Sequence, residues 1–304
     1  MNKLDYIKKA SLHGTSFHKE RISSYCVCCG SKSLKKSPAV LMPFIAHRAF
    51  GWEPAVIDES WGLKTIKLGN AYTVCNTLFC NECGFLFLDI RFSNYELESL
   101  YIGYREKEYT ELRDRYEPGY IIRNKGLLSG ISYLDDVEAF LKPMLNFPTR
   151  ILDWGGDTGK NTPFKKNQCL FHIYDISNIT PIQGAESVTK EKAYNTDYDV
   201  IICSNVLEHV PYPSELLIEM KLAMRKNTIL YLEMPYEEIM RVAKDDSTIM
   251  TKKKHWHEHI NFFSEKSIRN LIQLCGLKVV ALRDLNAQGG GNSNHLFQVA
   301  CQLI

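Results

Sequence analysis

Hydrophobic residues in the second half of the chain fall into short runs that alternate with amphipathic segments. Four of these runs are predicted to be strands: "RILDW", "LFHIYD", "YDVIICS" and "TILYLEMP". Apolar residues at helical spacing predict helices around 213–225 and 264–275. Strands that alternate with helices are typical of an α/β fold with a parallel, doubly wound sheet.

The C-terminal end of the chain departs from this alternation. The segments "LKVVALRDL" and "NHLFQVACQLI" both have strand character, and "NAQGGGNSN" joins them. A glycine-rich connection between two strands predicts a hairpin with a long loop. We therefore expect the last strand to run antiparallel within an otherwise parallel sheet.

The first half of the chain contains a tyrosine-rich stretch whose function has two interpretations. The spacing of Leu97, Tyr101 and Tyr104 predicts an amphipathic helix, followed by a loop at Pro118–Gly119. The stretch is either a linker helix packed on the next domain, or a lid that places tyrosine hydroxyls and an arginine over a substrate. The residues concerned are Tyr95, Tyr101, Tyr104, Tyr109, Tyr116, Tyr120, Arg105, Arg113 and Arg115.

Length and composition bound the class of protein. The chain has 304 residues, of which 45% are hydrophobic and 24% charged, as in a globular protein with a sizeable core. No apolar run approaches the roughly 18 to 20 residues of a membrane span. The N-terminal residues also lack the apolar region of a signal peptide. We therefore expect a cytoplasmic protein.

Positive charge is concentrated near the N-terminus, although the net charge of the chain is only +2. Residues 1–40 contain eight basic side chains against the two acids Asp5 and Glu20. Such a segment is either a solvated basic face or a surface for the phosphates of a nucleotide or nucleic acid. The basic residues are Lys3, Lys8, Lys9, Lys19, Arg21, Lys32, Lys35 and Lys36.

Two Cys-x-x-Cys-Gly pairs, "CVCCG" and "CNECG", stand in the first third of the chain. The glycine allows the tight turn that points backbone N–H groups at thiolate sulfurs. Two such pairs supply the four ligands of a tetrahedral, structural zinc site, with buried thiols as the alternative. The predicted ligands are Cys26, Cys29, Cys80 and Cys83.

The other cysteines fall into two groups. Cys28 and Cys75 lie near the pairs and are substitute zinc ligands, although Cys28 is too close to Cys29 to suit the turn. The remaining four have apolar neighbours and are expected in the core: Cys169, Cys203, Cys275 and Cys301. Residues 41–70, between the two pairs, are expected to form an insertion or a small subdomain.

A glycine-rich turn follows the first predicted strand of the second half. Gly155, Gly156 and Gly159 let the backbone approach a ligand, and Asp175 at the tip of the next strand is placed to accept hydrogen bonds from a ribose. This pattern fits either a dinucleotide or S-adenosylmethionine. The G-x-G-x-x-G spacing of the dinucleotide fingerprint is absent.

The stretch "DWGGDTG" resembles the D-x-G-x-G-x-G motif of class I S-adenosylmethionine-dependent methyltransferases, with Asp157 in place of the middle glycine. "CSNVLEHV" resembles the segment after the fourth strand of the same superfamily, which lines the cofactor and substrate mouth. The resemblance covers residues 130–304. It implies that the cofactor contacts Asp153, Gly155, Gly156, Asp157, Gly159, Asp175, Ile176, Ser204 and Asn205.

The stretch "HWHEHINFF" at 255–263 has a histidine at every second position. Alternate residues of a strand share one face, so His255, His257 and His259 are candidate metal ligands. A second interpretation is that they are core or rim residues without a function. A third is that one of them accepts a proton in catalysis, since an imidazole titrates near neutral pH.

Together with the cysteine pairs, this stretch resembles the nucleotide-sugar C-methyltransferases. Those proteins carry a four-cysteine zinc domain, a class I methyltransferase core and an E-H-x-x-(Y/F)-F-S segment, which here runs from Glu258 to Ser264. The resemblance implies that His259 is the catalytic base and that Glu258 orients or tunes it. For a C-methylation, an enolate also needs a hydrogen-bond donor such as a tyrosine or Asn261.

These predictions combine into one architecture. A small four-cysteine zinc-binding domain (1–95) and a tyrosine-rich helical linker or lid (96–140) precede a Rossmann-like, seven-stranded methyltransferase sheet with an antiparallel last strand (141–304). The expected function is C- or O-methylation of a small molecule, such as a nucleotide-linked sugar, with S-adenosylmethionine as methyl donor and a structural zinc ion. The alternative is a methyltransferase-fold protein whose basic zinc domain binds nucleic acid or another protein. No membrane partner is expected.

Overall fold

The computed structural model describes residues 19–62, 67–128, 130–177, 179–243, 248–289 and 292–304. Part of the basic segment (Lys3, Asp5, Lys8 and Lys9) lies outside the described residues, as do positions 63–66 of the insertion and 290–291 of the glycine-rich connection. The expectation of a long loop in that connection is wrong, because the two strands of the hairpin extend to Gly289 and from Asn292 and pair along their whole length. Across the part of the chain that is described, no helix has both the length and the apolar character needed to cross a membrane.

The N-terminal half contains short strands followed by short helices. In chain order they are β1 (Leu34–Leu41), α1 (Pro43–Phe50), β2 (Ala55–Ile57), β3 (Gly69–Ala71), β4 (Val74–Cys80), β5 (Leu86–Leu88), α2 (Asn94–Tyr101), α3 (Lys107–Tyr116), α4 (Tyr120–Leu128) and α5 (Leu134–Leu141). Single 3-10 turns occur at Glu59–Trp61 and Lys142–Met144.

The C-terminal half alternates strands and helices. In chain order they are β6 (Thr149–Trp154), β7 (Gln168–Tyr174), β8 (Glu186–Ser187), α6 (Lys190–Asn195), β9 (Val200–Ser204), α7 (Pro213–Lys221), β10 (Ile229–Pro235), α8 (Glu238–Ala243), α9 (Ile249–Lys252), β11 (His255–Trp256), β12 (Asn261–Phe262), α10 (Glu265–Leu274), β13 (Leu277–Gly289) and β14 (Asn292–Leu303).

A seven-stranded mixed sheet forms the centre of this half, in the order β13-β14-β10-β9-β6-β7-β8. The strands from β10 to β8 pair in parallel, and β14 is antiparallel to both β10 and β13. The predicted sheet with an antiparallel last strand is therefore confirmed. Consecutive residues such as Ile151 and Leu152 are both fully buried, because a parallel sheet is covered on both faces.

The four predicted strands are β6, β7, β9 and β10, and the two predicted helices are α7 and α10. The start of α10 is fixed by a reciprocal cap: the Ser264 hydroxyl accepts from the Ser267 N–H at 3.1 Å, and the Ser267 hydroxyl accepts from the Ser264 N–H at 2.8 Å. The edge strand β8 was not predicted, because Glu186 and Ser187 carry no apolar signal.

A second, five-stranded sheet has the order β11-β1-β4-β5-β12. Its three middle strands come from the cysteine-rich segment, whereas both edge strands come from the histidine-rich stretch. On one edge His255 and Trp256 pair in parallel with β1, and on the other Asn261 and Phe262 pair in antiparallel fashion with β5. A single stretch of eight residues, 255–262, therefore covers both edges of the N-terminal sheet.

Buried polar groups fasten this stretch to the loop that follows β9. The Asn261 side-chain amide donates to the carbonyls of Leu207 at 2.9 Å and Val210 at 2.6 Å, and its oxygen accepts from Arg91 Nη1 at 2.9 Å. Arg91 is itself 1% exposed and also donates to the carbonyl of Pro211 at 3.0 Å. Asn261 thus joins the two sheets, and both its amide hydrogens are committed to backbone carbonyls.

The cores of the two sheets are continuous. The rings of Phe85 and Phe263 lie 5.0 Å apart, and both are fully buried in one apolar cluster that also contains Leu152 and Leu232 of the central sheet. The boundaries 1–95, 96–140 and 141–304 stay a prediction, since residues 255–262 contribute to the sheet of the first segment.

The tyrosine-rich stretch forms α2, α3 and α4, with the predicted loop at Pro118–Gly119 between the last two. Part of its aromatic face packs on α1, where the ring of Phe44 lies 5.4 Å from that of Tyr109 and 6.1 Å from that of Tyr116. This face has the packing expected of a linker. Other side chains of the same stretch, Tyr101 among them, reach the polar cluster described below.

Candidate active site

The four predicted zinc ligands lie together. The Sγ atoms of Cys26 and Cys83 are 3.6 Å apart, as are those of Cys29 and Cys80, and all four sulfurs lie within 4.8 Å of one another. A tetrahedral zinc ion with Zn–S bonds of about 2.3 Å requires sulfurs about 3.8 Å apart, so this donor set fits zinc. A disulfide, with sulfurs about 2.05 Å apart, is excluded, and all four cysteines are free thiols.

Glycines complete the two turns of this cluster. Gly30 and Gly84 have φ values of 78° and 70°, in the left-handed region that glycine adopts without strain. The N–H of Gly30 donates to the Cys26 carbonyl at 2.7 Å, and that of Gly84 donates to the Cys80 carbonyl at 2.9 Å. The repeated Cys-x-x-Cys-Gly pattern therefore corresponds to two equivalent turns.

The remaining cysteines do not join the cluster. The Cys28 thiol donates to the Ser267 carbonyl at 3.1 Å, and Cys75 is buried in the separate apolar cluster around α1. Cys203, Cys275 and Cys301 are buried, as expected. The expectation of a core position is wrong for Cys169, which is exposed because its side chain is on the outward face at the start of β7.

Close packing explains the glycines of the turn after β6. A Cβ atom at Gly155 would lie 2.6 Å from a methyl group of Val206, and one at Gly159 would lie 2.6 Å from Ile173. The residue at the middle position, Asp157, has a φ of 53° and so keeps a glycine-like conformation. The contact with Val206 also brings the turn next to the loop after β9.

Asp175 connects the turn to the end of β7. Its Oδ2 accepts the backbone N–H of Asp157 at 2.8 Å, and its Oδ1 accepts the N–H and hydroxyl of Ser177 at 2.8 and 2.6 Å. The neighbouring Ile176 is 65% exposed. The carboxylate of Asp175 and the exposed side chain of Ile176 are thus neighbours at the end of β7, beside the glycine-rich turn.

The other predicted cofactor residues have different surroundings. Asp153 is buried beneath Gly156 and accepts a hydrogen bond from the Thr162 hydroxyl; burial raises its pKa to about 7. Ser204 and the exposed Asn205 stand at the end of β9, next to the turn. Asn205 has a φ of 55°, and its N–H donates to the Glu233 carbonyl at 2.9 Å.

A second cluster forms where the histidine-rich stretch meets the loop after β9. The rings of His209 and His259 are 4.7 Å apart. A carboxylate oxygen of Glu208 lies within 4.8 Å of a ring nitrogen of each histidine. The Nδ1 of His259 lies 3.0 Å from Glu237 Oε1. Burial favours the neutral imidazole of His259, but the hydrogen bond to Glu237 and the charge of Glu208 outweigh it and raise its pKa.

His209 and Glu208 have unusual environments. The Nδ1 of His209 lies 2.9 Å from the Tyr101 hydroxyl and 3.1 Å from the Glu258 carbonyl oxygen, and burial lowers its pKa to about 3. Glu208 is 2% exposed, and burial raises its pKa to about 7. Among the described residues its carboxylate has no hydrogen-bond partner, and His209 Nε2 lies 3.7 Å from its Oε1.

Glu258 does not hydrogen-bond the imidazole beside it. Its two oxygens accept from Arg113 Nη2 at 2.7 and 2.9 Å, and the acid on His259 is Glu237 instead. Burial alone would raise the pKa of Glu258, but Arg113 outweighs it and lowers the value to about 2. Glu258 therefore acts on His259 through its charge, whereas Glu237 fixes the orientation of the ring.

The three alternate histidines do not converge. His255 is an exposed residue of β11, and His257 Nδ1 lies 3.7 Å from Glu117 Oε1, while residues 257–260 leave the strand. His259 instead hydrogen-bonds Glu237 and lies beside Glu208 and His209, and none of these three is among the predicted site residues. A signal was present, because "LEHV" and "HEHI" repeat the same glutamate–histidine pair.

A family model described as a methyltransferase domain matches residues 105–282. No curated protein matches the chain. Similar solved structures include 1,6-didemethyltoxoflavin-N1-methyltransferase of Burkholderia thailandensis, with 14% identity, a TM-score of 0.44, and coverage of 65% of this chain and 90% of that chain.

Two further solved structures are described as S-adenosylmethionine-dependent methyltransferases. The one from Methanosarcina mazei has 17% identity, a TM-score of 0.39, and coverage of 54% of this chain and 97% of that chain. The one from Anabaena variabilis has 12% identity, a TM-score of 0.41, and coverage of 57% and 84%. At these identities the likeness concerns the fold alone.

The Arg113–Glu258 pair predicts a pH-dependent contribution to stability. Replacing Arg113 with Leu leaves a buried carboxylate without a partner, so we expect a loss of about 3–5 kcal/mol in unfolding free energy at pH 7. The pKa of Glu258 is lowered from 4.5 to about 2 in the folded protein. The ion pair therefore contributes its full stabilisation at pH values above 4.5, and this contribution is lost as the pH falls from 4.5 through about 2.

Urea unfolding of wild type and Arg113→Leu at pH 7 and pH 3 measures this difference. Lys107→Leu is the control, because Lys107 makes an exposed contact of 3.9 Å with Glu111 and its loss should change stability by about 0.5 kcal/mol or less. A destabilisation by Arg113→Leu that is the same at both pH values would contradict the assignment to the ion pair.

Proposed function

The chain belongs to the methyltransferase-domain family, and we propose that it transfers a methyl group from S-adenosylmethionine to a small molecule. One observation carries the proposal: the glycine-rich turn and the glutamate–histidine cluster meet at the carboxyl edge of the central sheet. The two are linked through the loop after β9, since Gly155 packs against Val206, two residues before Glu208. Open α/β sheets bind their ligands at this edge.

The residues at the turn suit a nucleoside ligand. Asp175 has acceptor capacity beyond its bonds to Asp157 and Ser177, since each carboxylate oxygen carries two lone pairs, and we propose that it binds the ribose hydroxyls. Ile176 offers an exposed apolar side chain for the base. When bound, S-adenosylmethionine supplies an activated methyl group on its sulfonium.

Arg105 belongs to the tyrosine-rich stretch and contacts the glycine-rich turn. Its Nη1 lies 3.5 Å from Asp157 Oδ2, and its φ of 65° places it in the left-handed region, in the turn between α2 and α3. We propose that this pair of opposite charges holds the amino-acid end of the cofactor, with the guanidinium on the carboxylate and Asp157 on the ammonium. The segment thus has the arginine expected of a lid.

His259 is the proposed proton acceptor. Its Nδ1 is held by Glu237, so in the neutral tautomer Nε2 carries the lone pair that takes the proton. Methyl transfer from a sulfonium requires alignment of the nucleophile and removal of one proton, and the same base serves a hydroxyl or a carbon beside a carbonyl. Asn261 is not a donor for an enolate, because both its amide hydrogens are bonded to backbone carbonyls.

The proposed substrate class is a nucleotide-linked sugar or a related precursor. Support comes from the resemblance of Glu258–Ser264 to the nucleotide-sugar C-methyltransferases, in combination with the cysteine pairs. We further propose a structural zinc ion on Cys26, Cys29, Cys80 and Cys83, since their sulfurs have the spacing of a tetrahedral site.

The zinc proposal predicts one tightly held zinc ion per chain. Elemental analysis after dialysis should give a ratio near one for wild type, and the double variant Cys80→Ser with Cys83→Ser should lose the ion, because two of four ligands are removed. Cys169→Ser is the matched control, since this exposed cysteine lies outside the cluster. Zinc that is retained in the double variant would place the ion elsewhere.

Loss of Asp175 should weaken binding of S-adenosylmethionine. We expect Asp175→Ala to raise the dissociation constant about 5- to 150-fold, equivalent to roughly 1–3 kcal/mol for a lost hydrogen-bonded acceptor. Calorimetry measures the change, and Asp197→Ala is the control because Asp197 pairs with Arg225 on the surface. Equal affinity of Asp175→Ala and wild type would show that this acid does not bind the ribose.

Loss of His259 should affect turnover rather than cofactor binding. We expect His259→Ala to lower turnover roughly 10²- to 10⁴-fold, the usual contribution of a general base, and to leave the affinity for S-adenosylmethionine nearly unchanged. Transfer of radiolabelled methyl to a panel of nucleotide sugars measures turnover. Glu258→Gln should cost less, because it removes a charge near the base and not the proton acceptor.

His255→Ala is the matched control for this prediction, because His255 stands in the same stretch but is exposed and outside the cluster. The pH profile adds a second readout: Glu237 raises the pKa of His259, so Glu237→Gln should move the acidic limb of kcat/KM to lower pH. A His259→Ala enzyme that works at the wild-type rate would end the catalytic assignment.

A further inference from the structure

The loop after β9 and the histidine-rich stretch bring three metal-binding side chains together outside the cysteine cluster. Glu208, His209 and His259 each offer one donor atom, and these atoms lie within 4.8 Å of one another. We propose that they form a divalent-cation site, and that a cation bound there competes with proton transfer at His259. The binding stands on geometry alone; the competition rests on the proposed function.

The carboxylate of Glu208 is the first observation that points to a cation. It is 2% exposed, and neither oxygen has a hydrogen-bond partner among the described residues. A buried carboxylate without a partner is destabilising. A cation shared with two imidazoles satisfies the carboxylate.

The orientation of the two imidazoles is the second observation. The Nδ1 of His209 faces the Glu258 carbonyl oxygen at 3.1 Å, which can only accept, and the Tyr101 hydroxyl at 2.9 Å, which can accept as well as donate. The Nδ1 of His259 faces Glu237 Oε1 at 3.0 Å. Both acceptors favour a proton on Nδ1 and leave the lone pair on Nε2. Histidines that bind metals have this arrangement, with the second nitrogen donating to a carbonyl or a carboxylate.

The spacing of the donors suits a small cation. The Nε2 of His209 and Oε1 of Glu208 are 3.7 Å apart. Two tetrahedral donors at about 2.0–2.1 Å from zinc are about 3.4 Å apart, so only a small approach is needed. Two imidazoles and one carboxylate favour Zn²⁺, Co²⁺, Fe²⁺ or Mn²⁺ over Ca²⁺.

The competition follows from the use of one lone pair. If Nε2 of His259 binds a cation, it cannot at the same time accept a proton from the substrate. His209 and Glu208 do not accept the substrate proton, whereas His259 serves both the cation and the proton transfer. Glu208 also raises the pKa of His259, so each variant is compared with its own rate without cation. A cation should therefore lower the rate of methyl transfer in proportion to its occupancy of this site.

Titration of the zinc-loaded protein with Co²⁺ tests the binding. Co²⁺ held by nitrogen and oxygen lacks the intense thiolate-to-cobalt absorption of a cysteine site, so the spectrum distinguishes the two clusters. We expect one additional Co²⁺ per chain. Glu208→Gln and His209→Ala should each weaken binding by more than about 100-fold, and Glu237→Gln should weaken it about 10- to 100-fold, as for the loss of an outer partner.

His255→Ala is the control and should bind Co²⁺ like wild type. Glu208→Gln keeps the shape of the side chain, and near-ultraviolet circular dichroism verifies that each variant is folded. Absence of the additional Co²⁺, or equal affinity in folded Glu208→Gln and wild type, would overturn the site. This outcome concerns the cation site alone and leaves the proposed methyl transfer untouched.

Methyl transfer in the presence of Co²⁺ tests the competition. Wild-type turnover should fall as the site fills and recover on chelation, at chelator concentrations that leave the cysteine-bound zinc in place. Glu208→Gln turnover, relative to its own rate without Co²⁺, should not fall at the same concentrations. Binding that raises turnover would overturn the competition and also exclude His259 as the base.

Discussion

The pairing of residues 255–262 with both edges of the N-terminal sheet is the constraint on which the rest of the structure depends. β11 pairs with β1 and β12 with β5, so the residues between them must cross the end of the sheet. Glu258 and His259 lie in that crossing. Open edges would leave rows of unpaired N–H and C=O groups, so the same pairing that protects the sheet also fixes where the imidazole lies.

Most of the buried polar groups around residues 257–260, which form this crossing, have hydrogen-bond or ion-pair partners. Arg91 and Asn261 bind backbone carbonyls, and Arg113 neutralises Glu258. Each of these bonds joins the crossing to another part of the chain, and the low dielectric of the interior strengthens it. Glu208 is the exception, since its buried carboxylate faces His209 and has no hydrogen bond among the described residues. A buried carboxylate without a hydrogen bond is expected where a ligand or a metal ion binds.

The tyrosine-rich stretch packs against α1 and also reaches the turn and the histidine cluster, while its role as linker or lid stays a prediction. Tyr109 packs against Phe44 as a linker helix would, while the Tyr101 hydroxyl reaches His209 and Arg105 reaches Asp157. The N-terminal half therefore contributes side chains to the turn and to the histidine cluster alike. The family match begins at residue 105, within this stretch.

The sequence by itself determined features that depend on local patterns. Apolar runs predicted β6, β7, β9 and β10, the glycine-rich hairpin predicted the antiparallel β14, and the repeated Cys-x-x-Cys-Gly turns predicted the four-cysteine cluster. Tertiary structure alone decided which acid meets which base. Glu237 and not the adjacent Glu258 bonds His259, and Glu208–His209 join it from 50 residues away. These partners come from chain segments that meet only on folding. Neither the periodicity of the sequence nor the spacing of residues along it encodes the distances between such segments.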